Sequence, residues 1–285
     1  MTNQTKPVRG LIASAVGVAA ASLSFGAHAS LANGIIDIWN VNVSSVFDTT
    51  TVCNDLGNCN TATNGITETT TSLSWGTGGV SGIDIAPSVS NANVNTNGAA
   101  VPNISITHRN QPITGRTLGS VDLVSTLTLT PFDPAAPGLP AVPFIFKIHF
   151  AETDNDPRPG LCADGGVYGS GVNINGCADI FVTDAKSLNF SFFYDLDGAG
   201  ALPDKEYFIS FFEATSGLNS LPAAACGAAG ATAPCLGFRT PESTNTTVRF
   251  AALITTAPVS IPEPATSALL GIGLLGGLLA RRRRS

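Results

Sequence analysis

The residues best suited to chemistry lie in the run Ile104-Ser105-Ile106-Thr107-His108-Arg109-Asn110-Gln111-Pro112-Ile113. On a strand that continues from Ile104, His108 and Asn110 share a face with Ile104 and Ile106, while Thr107 and Arg109 face away. Such a pair can form a polar site. It can equally form a hydrogen-bonded corner that fixes the strand end before Pro112, because buried polar groups need partners. The corner is the simpler reading, since no nucleophile accompanies the imidazole. Three groups of acids offer oxygen ligands: Glu152-Thr153-Asp154-Asn155-Asp156, Asp179 with Asp184, and Asp195-Leu196-Asp197-Gly198. Calcium takes six to eight oxygens, and the last group imitates part of a calcium loop without its distant Glu. Acids so placed more often form turns. If calcium binds, Glu152, Asp154 and Asp156 are the expected ligands; no other cofactor is expected.

Catalytic signals are sparse. His108 and His149 are the histidines of the body, and His149 shares a solvated strand face with Lys147. No GxSxG, HExxH, P-loop or dinucleotide fingerprint occurs. A paired-carboxylate hydrolase stays open, because the separation of the acids is not visible in sequence. The expectation is a protein that is not an enzyme.

These residues must be held by strands. Val121, Leu123, Leu127 and Leu129 fall on the apolar side of one period-2 stretch, and Phe144, Phe146, Ile148 and Phe150 on that of another. Leu188, Phe190, Phe192 and Tyr194 form a third stripe, and Val248, Phe250, Ala252 and Ile254 a fourth. Tyr207 to Phe212 is apolar on both faces. Nearer the start, Ile35 to Trp39 and Leu73 to Trp75 read as strands within a Thr/Asn-rich region, and Pro131 to Pro143 as a long loop. No helical period precedes the tail, so the expected fold is all-β, an antiparallel β-sandwich with disulfide-stapled loops.

The cysteines fall into three local pairs, Cys53 with Cys59, Cys162 with Cys177, and Cys226 with Cys235. An even count in an exported chain reads as disulfides, although sequence alone permits about 15 connectivities. Zinc is disfavoured because no CxxC spacing occurs and no histidine accompanies a pair.

The ends of the chain explain why oxidised cysteines are expected. Lys6 and Arg9, an apolar stretch from Leu11 to Phe25, and Ala27-His28-Ala29 form the layout of a signal peptide over residues 1–29, cut by signal peptidase after Ala29. Residues 30–256 make the β domain and residues 257–261 a spacer. In residues 262–285, Pro262-Glu263-Pro264 precedes an uncharged stretch from Ala265 to Ala280 and then Arg281, Arg282, Arg283 and Arg284. As a helix that stretch reaches roughly 24 Å, enough to span with local thinning of a core of about 30 Å. The arginines stay cytoplasmic, which places the body outside. Without signal and tail the body carries 8 basic and 19 acidic residues, a net charge of about −11. Nucleic acid is therefore an unsuitable partner.

The tripeptide, span and basic end in this order resemble the PEP-CTERM sorting signal of Gram-negative bacteria. That resemblance implies an exosortase partner in the inner membrane. Within the body, Thr107, His108, Asn110, Pro112 and Ile113, with Phe146 to Thr153 and Gly176 to Phe181, are similar to the THxN family of PEP-CTERM proteins. It would cover about Ile35 to Ile254 and carries over no established catalytic activity. The function expected is that of an exported, non-catalytic protein of the cell surface or extracellular matrix, associated with exopolysaccharide, with an inner-membrane intermediate. A carbohydrate- or calcium-dependent adhesion module is the alternative, which exposed Trp39 or Trp75 would favour. Ice binding, suggested by Thr126-Leu127-Thr128-Leu129-Thr130, ranks last because one threonine row is too few.

Overall fold

Alternating apolar and polar residues build strands throughout residues 34–155, 160–183, 189–196, 204–215 and 217–259, which are the residues described by a computed structural model. The expected signal peptide, the sorting tail and Leu188 lie outside them. In chain order the elements are β1 (Ile38–Asn54), β2 (Thr67–Glu68), β3 (Ser72–Trp75), β4 (Ser81–Ala86), β5 (Val89–Asn95), β6 (Val101–Arg109) and β7 (Leu118–Asp133). Then follow β8 (Val142–Ala151), β9 (Asp179–Thr183), β10 (Asn189–Tyr194), β11 (Lys205–Glu213), β12 (Asn219–Ser220), α1 (Ala223–Ala228), β13 (Leu236–Thr240) and β14 (Asn245–Thr255).

The strands form two seven-stranded antiparallel sheets, ordered β12-β13-β9-β8-β7-β1-β5 and β10-β11-β14-β6-β4-β3-β2. Their apolar faces meet. At one end Trp39, Val41, Val43, Leu127 and Leu129 of the first sheet pack with Tyr207, Ile209, Ala252 and Ile254 of the second. At the other, Phe47, Leu123, Ile148, Phe150 and Phe181 meet Leu73, Trp75, Ile83, Ile106 and Val248. Strand β9 is buried on both faces, because α1 covers its outer side through Ala225, Cys226 and Ala229. It is therefore a rigid mount for its first residue, Asp179.

Several expectations are refined. The first long strand runs well beyond Trp39, since Trp39, Val41, Val43 and Phe47 alternate inward against Asn40, Asn42 and Ser44. The expected loop from Pro131 to Pro143 is partly strand, as β7 continues to Asp133 and β8 starts at Val142. The six-residue α1 departs from the all-β expectation. Its alanines are too few to show a helical period, and Cys226–Cys235 ties it to β13. The cysteines join in the three local pairs. Among the described residues no helix is long and apolar enough to cross a membrane.

Candidate metal centre

Strand β6 delivers the imidazole and the amide as its alternation requires. Ile104, Ile106, His108 and, just past its end, Asn110 turn inward, and His108 and Asn110 are fully buried. Thr107 and Arg109 turn outward, where Thr107 shares a hydrogen bond with Thr247 and Arg109 Nε pairs with Asp84 at 2.7 Å. The His108 ring stacks on Trp75, with centroids 6.1 Å apart, and meets the edge of Phe150 at 4.9 Å. Neither ring nitrogen has a hydrogen-bond partner, and Nε2 points at Asp179 Oδ2, 3.8 Å away. Burial, aided by the positive charge of Arg109, lowers the His108 pKa to about 3, so the imidazole is neutral.

The opposite sheet supplies carboxylates. Asp179 opens β9, and its Oδ1 accepts the Thr153 N–H at 2.9 Å. Glu152 follows β8, and its Oε2 accepts the Trp75 indole N–H at 3.1 Å. Glu242 lies between β13 and β14 and is 1 % exposed, with no hydrogen bond of good geometry on either oxygen. One oxygen of each of Glu152, Asp179 and Glu242 falls within 4.8 Å of the other two. Asn155 reaches the same place. A Cβ on Gly176 would come within 2.5 Å of Glu242 Cγ and 3.4 Å of Asn155 Oδ1, so glycine is what lets these side chains converge. Thr240 pairs with Asp179 across β13 and β9, and its carbonyl accepts the Asn110 amide at 3.0 Å.

Of the twelve buried side-chain nitrogens and oxygens without a hydrogen bond among the described residues, nine belong to His108, Asn110, Glu152, Asn155, Asp179, Thr240 and Glu242. A native interior pairs most such groups, so this concentration marks a site. The electrostatics agree. Burial raises the Glu152 pKa to about 7, with the Glu242 charge adding and the Trp75 and Asp179 side chains opposing. Burial and then the Glu152 charge push Asp179 well above the usual carboxylate range, against the Thr153 N–H. Burial raises Glu242 as well, tempered by the nearby Asn110 amide and Ser243 N–H. Three like groups so placed can share protons or hold a hard cation.

The surrounding loop is braced. The Thr153 hydroxyl donates to the Cys177 carbonyl, Asn173 accepts the Ala178 N–H, and Asn173 and Arg239 both bind Asp164. Cys162–Cys177 closes this loop over a separation of 15 residues. Replacing both cysteines with serine is expected to lower the unfolding free energy by about 3 kcal/mol, from loop-closure entropy. Urea unfolding of the double variant measures this, and a loss under about 1 kcal/mol would place the bracing elsewhere.

Of the calcium ligands expected from sequence, Glu152 belongs to this cluster. Asp154 is exposed and is not among its members, and Asp156 lies outside the described residues. Of the other acids, Asp184 and Asp197 also lie outside them, and Asp195 is exposed. Glu242 was missed, because a lone acid in a Thr-Pro-Glu-Ser turn carries no pattern. Trp39 and Trp75 are core residues, 0 % and 2 % exposed, and offer no stacking face for sugars.

Residues 260–284 match the PEP-CTERM protein-sorting motif. The motif indicates an exported protein whose tail exosortase processes. Comparison of the chain with curated proteins gives no match.

Proposed function

We propose that the chain is a non-catalytic protein of the cell surface or extracellular matrix, associated with exopolysaccharide once exosortase has processed its tail. The observation that carries this reading is the sorting motif over residues 260–284. In this reading residues 1–29 are removed as a signal peptide, and Ala265 to Ala280 spans the inner membrane before processing. The body is a β-sandwich of the THxN type. The buried cluster supports a role without catalysis: His108, Asn110, Asp179 and Glu242 are at most 1 % exposed, which closes them to a polymeric substrate.

The alternative, an adhesion module, draws support from the outer face of the first sheet. There Asn91, Asn42 and Thr128 align across β5, β1 and β7, as do Asn93, Asn40 and Thr130. Asn40 donates to Asn91 and Asn93, giving an ordered amide and hydroxyl surface that can hydrogen-bond a polysaccharide. Ice binding keeps the last place, since Ser44, Asn42 and Asn40, not threonines, oppose Thr126, Thr128 and Thr130.

Deleting Ala265 to Ser285 in the native host tests the main reading. Fractionation and intact mass of the wild type should show a tail-processed form at the surface or in the medium. The deletion should abolish that form and change the location. The same location and the same mature mass in both strains would refute it.

A further inference from the structure

We propose that Glu152, Asp179 and Glu242 hold one calcium ion between the two sheets, with the side-chain oxygens of Asn110 and Asn155 completing its shell. This proposal goes beyond the sorting reading and does not depend on it. Its basis is geometric. The three carboxylates converge within 4.8 Å, and a cluster of acids alone would mean little. The second observation is the pair of fully buried side chains aimed into the cluster from the other sheet. His108 presents Nε2 to Asp179 with both ring nitrogens unpartnered, and Asn110, whose amide nitrogen faces the Thr240 carbonyl and Glu242, leaves Oδ1 without a donor. Burying such groups unpaired is costly, and an ion that gathers the oxygens removes the cost.

The donor set selects the ion. Seven unpartnered oxygens lie on Asn110, Glu152, Asn155, Asp179, Thr240 and Glu242, with both oxygens of Glu242 included. That number suits calcium, which takes six to eight oxygens and accepts a bidentate carboxylate. Magnesium needs octahedral geometry and retains several waters, which a site this buried does not favour. A zinc-like ion would recruit the imidazole directly. Here His108 has a different role. Its Nε2 stands 3.8 Å from Asp179 Oδ2, beyond hydrogen-bond reach, and so backs a ligand without entering the shell. Trp75 does the same for Glu152 through its indole N–H.

Bound calcium would join the end of β6 to the starts and ends of β8, β9 and β13, and would fix the turn that carries Glu242. The ion is then a structural clamp between sheets. Exported modules commonly bind calcium with dissociation constants of about 0.1–1 mM, and a clamp of that class responds to the calcium outside a cell.

The test uses the full chain, stripped with EDTA and titrated separately with calcium, magnesium, manganese and zinc chlorides, followed by calorimetry and thermal unfolding. One calcium per chain with a rise in Tm of several degrees is expected, with Glu242→Gln binding at least tenfold more weakly. Asp154→Asn should bind as the wild type does. If Glu242→Gln fails to fold, terbium on the wild type gives a second reading. Trp75 touches the ligand Glu152, so tryptophan excitation should sensitise terbium emission, and calcium should displace it. No binding heat, no Tm rise and no sensitised emission would overturn the proposal. Tight zinc or manganese binding with no response to calcium would overturn it too.

Discussion

Replacing Trp39 with alanine is expected to lower the unfolding free energy by about 4 kcal/mol, the largest loss from any single substitution considered. Trp39 is fully buried on β1 and meets Phe192, Tyr194 and Tyr207 of the facing sheet edge-on, with centroids 5.1 to 5.3 Å apart. Truncation removes an indole's worth of apolar burial and three aromatic contacts at once. The long strands on either side cannot collapse into the space, so a cavity remains. Trp39→Phe should cost less, since the indole N–H has no hydrogen bond to lose. Urea unfolding of both variants measures the effect. A loss under about 1 kcal/mol for Trp39→Ala would mean that this end of the core is loosely packed.

In calcium-free buffer the protein should be less stable at pH 8 than at pH 5. The sign follows from the cluster. The Glu152 pKa is raised to about 7, and those of Asp179 and Glu242 are raised as well. Unfolded carboxyls release their protons near pH 4, so above that the folded state holds the extra protons, and its stability falls as pH rises toward and through 7. His108 acts in the opposite sense. Its folded pKa of about 3 means that the unfolded chain alone takes up that proton below about 6.5, which offsets one carboxylate in the acidic range. The decline through pH 6.5 to 7 is therefore the part that His108 no longer offsets. Millimolar calcium should restore the lost stability at pH 8. Thermal unfolding with EDTA and with calcium at the two pH values reads both effects. Stability that is flat or rising with pH in EDTA would show that the carboxylates are not buried together.

The inward faces of β6, β7 and β8 were legible because each carries a period of two, which in β7 survives the break at Val124-Ser125. That same rule placed His108 and Asn110 on the core side. Strand β1 was harder. Its outward residues are Asn and Ser, so a polar region hid the alternation of Trp39, Val41 and Val43. The assembled site was least legible. Its side chains come from β6 and the residue past its end, from just after β8, from β9 and from the β13–β14 turn, and nothing in the spacing of Glu152, Asp179 and Glu242 shows that they meet. The acid-rich stretch around Glu152 drew attention for its local density, yet Glu152 gains its chemistry from residues distant in sequence. Gly176 is a further case, since its role depends on Glu242 passing beneath it.

A crystal structure of the protein grown in calcium chloride is the strongest test of whether the buried polar cluster holds a cation. An ion bonded at about 2.4 Å by Glu152, Asp179 and Glu242 is expected, with the Asn110 and Asn155 side-chain oxygens turned toward it. Carboxyl groups hydrogen-bonded directly to one another, with no ion between them in saturating calcium, would contradict that expectation.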